Sequence, residues 1–165
     1  MRAQRAALLA VYEEVYVDQL DDPFFAPSRF WQRLENYAGW PGFALVTGHL
    51  LDDLIGYTLG YTLPERSGWW GGFRGEVDPG LLKEDGQRTF ALTQLMVLPA
   101  WQRRGYARAL HDALLSNRPE ERATLLVKPD NIPARTAYLS WGWQVLGQLQ
   151  PFDDAPVYDA LLFYL

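Results

Sequence analysis

The sequence predicts a mixed α/β fold, a twisted central sheet with helices on its faces. Three observations carry that expectation. Apolar residues recur at helical spacing through the opening segment. A hairpin signal follows between Phe43 and Leu63. The remainder then alternates strand, helix, strand, helix, strand, strand. With 165 residues, 48% of them hydrophobic and 21% charged, the chain has the length of one ordinary domain and enough apolar content to bury a core.

Each element has a local reason. Leu8, Leu9, Tyr12, Val15 and Tyr16 share one helical face, giving a helix from Arg5 to about Tyr16 that Asp21, Asp22 and Pro23 end. Ser28 is placed as the N-cap of a second helix carrying Phe30, Trp31 and Leu34, stopped by Gly39, Pro41 and Gly42. Phe43 to His49 and Leu54 to Leu63 are strands around a turn at Asp52 and Asp53. Pro64 to Arg88 is a Gly-rich, aromatic-rich connection with a short helix around Leu81 and Leu82. Thr89 to Leu98 is a strand ended by Pro99, and Tyr106 to Asn117 is a helix with Ala107, Leu110 and Leu114 on one face. Ala123 to Val127 is a short strand. Ile132 to Trp141 is a helix with Asn131 as N-cap, Pro133 in its first turn and Gly142 just past its end. Trp143 to Leu149 and Val157 to Tyr164 are the last strands. No repeat or long linker divides the chain, so one domain over 1–165 is expected.

Composition narrows the chemistry. There are 15 basic and 20 acidic side chains and a formal net charge of -5, which argues against nucleic-acid binding through bulk positive charge. With no cysteine, thiol nucleophiles, disulfides, thiolate zinc sites and iron–sulfur clusters are excluded. His49 and His111 are far apart in sequence, so no metal is expected, and neither is assigned a role. The opening residues 1–16 do not read as a secretion signal, because Glu13 and Glu14 interrupt the apolar stretch. No apolar run approaches the roughly 20 residues of a membrane span, so the expected location is cytoplasmic.

Chemistry concentrates in Leu92 to Leu110. A strand runs into the turn Gln102-Arg103-Arg104-Gly105-Tyr106-Ala107, which opens a helix. A helix N-terminus presents unpaired backbone N–H groups and the positive end of its dipole. Gly105 lets the backbone approach an anion, Ala107 keeps the next position small, and Arg103 and Arg104 add positive charge. A diphosphate is the natural ligand. The plainer alternative is a basic surface turn. The turn is neither a Walker loop, since Lys and Ser/Thr are missing, nor a dinucleotide-binding G-x-G-x-x-G.

The pattern Q-x-x-G-x-A resembles the pyrophosphate loop of the GNAT superfamily of acetyl-CoA-dependent N-acetyltransferases. Pro129 to Gly147 is similar to the second signature of that family, through Asn131, Ala134, Tyr138, Gly142 and Trp143. The resemblance is specific over Leu92 to Gly147 and covers the architecture from Phe43 onward. It implies a GNAT fold with helices on both sheet faces and a splayed parallel strand pair, Leu95 to Leu98 beside Ala123 to Val127. The family usually begins with a strand, whereas this chain starts almost directly in a helix.

The same resemblance implies roles. Met96 and Val97 match backbone contacts to the pantetheine arm, Gln102 to Ala107 match the pyrophosphate cradle, and Asn131 and Ala134 match positions beside pantetheine and sulfur. Asn131 also suits a plain N-cap. Tyr138 matches the general acid that protonates the departing thiolate; its structural alternative is a core residue beside Ala134, Ala137 and Trp141. Gln94 stands where many members carry an acidic base. It is read as alternating with Phe90, Leu92 and Met96 on one strand face, polar and facing a cleft, but it cannot accept a proton at neutral pH. Trp69 and Trp70 suit an acceptor site for a cation or planar group, or equally a cover for the sheet edge. Asp153 and Asp154 read as a solvated turn.

The activity implied is direct acetyl transfer from acetyl-CoA, a co-substrate, to a primary amine of a small molecule or peptide. The amine itself stays open, as does homodimerisation, which is common in the family; neither nucleic acid nor membrane is expected as a partner. The alternative is an acyl-CoA-binding module with little or no catalysis, motivated by Gln94. A nucleotide-binding regulatory domain would need a triphosphate site that the sequence does not show.

Overall fold

A computed structural model describes residues 4–165. Helices α1 (Arg5–Val15) and α2 (Pro27–Tyr37) come first, then the hairpin β1 (Ala44–Leu50) and β2 (Asp53–Thr62). β3 (Phe73–Arg74), β4 (Thr89–Val97), α3 (Tyr106–Leu115), β5 (Arg122–Val127), α4 (Ile132–Ser140), β6 (Gln144–Leu149) and β7 (Tyr158–Tyr164) follow. The strands lie in the order β1-β2-β4-β5-β7-β6-β3 in one open mixed sheet. Its parallel pair is β4–β5, and that ladder holds only Thr89↔Arg122, Phe90↔Ala123 and Ala91↔Thr124, although both strands continue beyond it.

The chain divides into two compact units, Met1–Tyr61 with Thr93–Asn117, and Thr62–Leu92 with Arg118–Leu165. In the first, Leu8, Val11 and Tyr12 of α1 pack with Phe30, Trp31 and Leu34 of α2 against Tyr57, Leu59 and Met96. The buried tyrosines remain satisfied: Tyr12 donates its hydroxyl to the Phe25 carbonyl and Tyr57 to the Leu8 carbonyl, both at 3.0 Å. The opposite face of the hairpin meets α3. Gly48 is the register partner of Gly56, and a Cβ there would lie 3.4 Å from Leu110 Cδ2. Helices therefore cover both faces of this unit.

β4 carries one residue more than its partner. Leu63 N–H bonds the Thr89 carbonyl and Leu98 N–H bonds the Ile55 carbonyl, so β2 advances eight residues while β4 advances nine. The extra residue is a β-bulge, and it breaks the strict alternation expected for Phe90, Leu92, Gln94 and Met96. Gly56 permits the close approach there, since a Cβ on it would clash with the Met96 carbonyl.

In the second unit, Trp70, Leu149 and Ala160 form a core with Trp69, Phe73, Leu82 and Leu126 on one sheet face. On the other face α4 docks through Arg135 Nε to Asp159 Oδ2 at 2.7 Å and through Trp143, whose ring stacks on Phe163 at 5.3 Å. Arg122, fully buried, opens β5 one residue earlier than expected. It donates to Thr89 Oγ1, the Leu81 carbonyl and Glu84 Oε1, so its charge is met by a carboxylate 38 residues away. Removing either partner of such a buried pair costs about 3–5 kcal/mol.

The other boundaries differ slightly. α2 starts at Pro27 with Ala26 as its cap, because proline's fixed φ suits the first helical position, and this moves Ser28 inside the helix. Two short 3-10 turns, Val17–Gln19 and Pro23–Phe25, fill the link from α1 to α2. Among the described residues no strand precedes α1, and no helix is long and apolar enough to cross a membrane. Residues 1–3 of the segment read as lacking a secretion signal lie outside the described range.

Candidate active site

The loop after β4 carries two arginines to the start of α3. The Pro99–Trp101 turn leads into exposed Gln102 to Gly105, and α3 begins at Tyr106. Gly105 is the N-cap at φ 87 and, like Gln4 before α1 and Ala26 before α2, makes no side-chain cap bond. A Cβ on Gly105 would meet nothing within 4 Å, so the positive φ, not space, favours glycine here. Arg103 takes φ 58, an unusual conformation for a non-glycine residue and one that clusters at functional sites. Gln102 has its own partner, as its Nε2 donates to the Val97 carbonyl at 2.9 Å and ties the loop back to the strand.

Met96 and Val97 are buried at the end of β4. Gln94 is half-buried, and its carbonyl accepts a bond from Thr58 Oγ1 at 2.8 Å. This places Gln94, Met96, Val97 and the loop Gln102 to Ala107 in the first unit.

The second unit holds Tyr138, Asn131, Ala134, Trp69 and Trp70. Asn131 is exposed, and its side chain accepts a bond from Ala134 N–H at 3.3 Å, so the capping reading holds. Tyr138 is buried, with Trp141 and Trp143 edge-on at 5.5 and 6.0 Å. Trp70 packs with Leu149 and Ala160 and donates its indole N–H to Glu84 Oε1 at 2.8 Å, while the buried Trp69 Nε1 finds no partner among the described residues.

Neither Glu120 nor His111 offers a free base. Glu120 accepts bonds from Thr62 and from two nitrogens of Arg118. Burial opposes its ionisation, yet those bonds prevail and hold its carboxyl below the ordinary value. His111 is buried on α3 with Nδ1 2.8 Å from Asp112 Oδ1, and burial pulls its pKa below the ordinary imidazole value. Among the described residues, no three His, Asp or Glu side chains converge to hold a metal.

Sequence reasoning missed the Arg135–Asp159 pair, the Arg122–Glu84 pair and Trp101. The two pairs join residues distant in sequence, where no spacing rule applies. Trp101 sits one residue before the motif, and its bulk was the available signal.

The family model described as Acetyltransferase (GNAT) family matches residues 6–143. The chain belongs to the GNAT acetyltransferase family. A search of curated proteins finds no match. Among solved structures, PH1933 from Pyrococcus horikoshii OT3 is similar with a TM-score of 0.73 at 13% identity, over 100% of this chain and 92% of that one. PaiA N-acetyltransferase from Thermoplasma acidophilum, solved in complex with coenzyme A, gives 0.64 at 10% identity, over 99% and 94%. The yncA protein of Salmonella typhimurium, solved with its cofactor acetyl-CoA, gives 0.62 at 16% identity, over 100% and 90%. At these identities the likeness is one of fold.

Proposed function

We propose that this chain is an N-acetyltransferase that moves an acetyl group directly from acetyl-CoA to a primary amine. The observation that carries the reading is the uncapped start of α3 behind Gln102-Arg103-Arg104-Gly105. A helix N-terminus with free N–H donors, a left-handed glycine and two arginines fits a diphosphate. The first-turn N–H groups through Ala107 would hold that group, with Met96 and Val97 offering backbone contacts to the pantetheine and Asn131 and Ala134 lying beside it.

Bound in this way, acetyl-CoA supplies an acyl thioester. The chain's own part is to orient the acceptor and manage two protons. Tyr138 would donate its phenolic proton to the departing sulfur; an ordinary phenol, pKa about 10, is a competent donor to a thiolate. The amine must lose a proton before attack, and Gln94 cannot take it, so the proton leaves through ordered water, through another carboxylate or to bulk solvent. On the acceptor side the reading uses Trp69, whose indole N–H lacks a partner, more than Trp70, which is committed to Glu84.

The test is thiol release from acetyl-CoA across a panel of primary amines: small amines, amino-sugar antibiotics, amino acids, and peptides with free N-termini or lysines. Turnover with any of them supports transfer. Tight acetyl-CoA binding without turnover across the panel supports the second reading, an acyl-CoA-binding module, which Gln94 in place of a carboxylate favours.

A further inference from the structure

Trp101 touches two residues of the anion loop without belonging to the motif. The Arg104 guanidinium carbon lies 5.0 Å from its ring centroid. Tyr106 meets it edge-on, with ring centroids 6.3 Å apart. Trp101 is itself well anchored. Its N–H bonds the Leu98 carbonyl at 2.8 Å, and Leu98 N–H in turn bonds the Ile55 carbonyl at 2.9 Å. The backbone of Trp101 is thus fixed to the end of the β2–β4 pair, and its half-buried indole faces residues on both sides of Gly105.

We propose that Trp101 is a positioning residue for phosphate recognition, holding Arg104 so that the loop has its binding charge in place before CoA arrives. This deepens the CoA-binding reading above and rests on it. An exposed arginine in a loop ordinarily surrenders much rotamer freedom when it grips a phosphate. Held over an indole, the guanidinium is already confined, and its N–H groups point outward in the guanidinium's own plane, where a phosphate can reach them. Arg104 lies between two residues at positive φ, Arg103 at 58° and Gly105 at 87°, so its backbone is constrained as well. Among the described residues neither Arg103 nor Arg104 has a carboxylate partner, in a chain of net charge -5. The charge at this loop is therefore left for a ligand. The geometry also distinguishes arginine from lysine, since an ammonium cannot both stack as a plane and present a fork of donors.

The test measures the Kd of CoA by calorimetry for the full chain, at two salt concentrations. Trp101→Ala should weaken CoA by roughly 3- to 30-fold, and Trp101→Phe should recover much of the loss. Arg104→Ala should weaken it at least as much and flatten the salt dependence, and Arg104→Lys should recover little. The double variant Trp101→Ala, Arg104→Ala should bind no worse than Arg104→Ala alone, because the indole acts through the guanidinium. Dephospho-CoA identifies the phosphate: if the Arg104 effect vanishes with it, the arginine serves the 3′-phosphate, and if the effect persists it serves the diphosphate. Losses that multiply in the double variant overturn the proposal, as does Trp101→Ala binding CoA as tightly as wild type. If Trp101→Ala fails to fold, the Arg104→Lys comparison decides, since it leaves the indole in place. Wild type that does not bind CoA overturns the underlying reading, a result distinct from loss of the positioning role alone.

Discussion

Two helices follow the two parallel strands, and their N-termini are finished differently. α4 starts at Asn131, whose side chain accepts the Ala134 N–H. α3 starts at Gly105 with no side-chain cap and arginines at 103 and 104. Every helix begins with N–H groups that lack intrahelical partners. α4 answers one of them from its own sequence, while the N-cap of α3, like those of α1 and α2, makes no side-chain cap bond. On the proposed reading α3 receives the anion through Arg103, Arg104 and Gly105, and α4 carries Tyr138, set edge-on to Trp141 and Trp143.

The strongest way to break that division is at Tyr138. Tyr138→Phe keeps the ring and its packing and removes only the hydroxyl. If the phenol is the proton donor, kcat should fall by roughly two to four orders of magnitude while CoA affinity is nearly kept. Steady-state kinetics on an active amine, with a parallel CoA titration, decide it. Unchanged turnover would make Tyr138 a packing residue and leave α4 without a chemical part.

The α3 half is tested by a pair of substitutions. Gly105→Ala pays only for a side chain at φ 87, since a Cβ has open space around it. Gly105→Glu adds a negative charge at the mouth of the helix. We expect CoA to bind Gly105→Glu at least roughly tenfold more weakly than Gly105→Ala. Equal affinities in the two variants would mean that the loop does not meet a phosphate.

Most of this contrast was legible in the sequence. Gly105 and Asn131 are the residue types that helix starts select, and the turn between strand and helix was marked by Pro99 and the charged hexad. The apolar spacing of Leu8, Tyr12 and Val15 was enough to place α1. What escaped depended on partners elsewhere in the chain. The bulge in β4 is a register difference, defined only once β2 lies beside it. Arg122 lies just outside the strand expected from Ala123, yet it is buried inside the pairing, where it bonds Glu84, Thr89 and the Leu81 carbonyl. β3, only Phe73–Arg74, is too short for any periodicity and exists because Leu149 and Gln148 pair with it. The bond from Trp70 to Glu84 likewise joins residues 14 apart and could not be read from spacing.

A smaller effect concerns the strand that leads into α3. Gln94→Glu would place a half-buried carboxyl where the family often has a base. Burial raises a carboxyl pKa above its reference of about 4.3, and the group accepts a proton only above that raised value. Transfer should therefore accelerate, by about tenfold or less, at a pH above the new carboxyl's pKa and below the amine's pKa of about 10.4. The gain should shrink as solvent begins to supply free amine. Wild-type and variant pH–rate profiles from pH 6 to 10 test this, and a slower variant throughout would mean that Gln94 positions a substrate or a water.

The smallest effect bears most directly on the contrast between the helix starts. Asn131→Ala removes the one side-chain cap of α4 and should cost about 1 kcal/mol, or roughly 2–4 °C in Tm for a chain of this size. If capping is its whole role, CoA affinity should not move. Asn131→Asp then separates cap from ligand contact. Aspartate also accepts the Ala134 N–H and suits the positive end of the helix, so stability should return to the wild-type level or slightly above it. Aspartate has no amide N–H to donate, however, so any bond from Asn131 to a pantetheine carbonyl would be lost. Restored Tm with wild-type CoA affinity would mean that α4 satisfies its own start and α3 alone receives the ligand. Restored Tm with weakened CoA would mean that Asn131 both caps the helix and binds the pantetheine, and the two helix starts would then differ in degree.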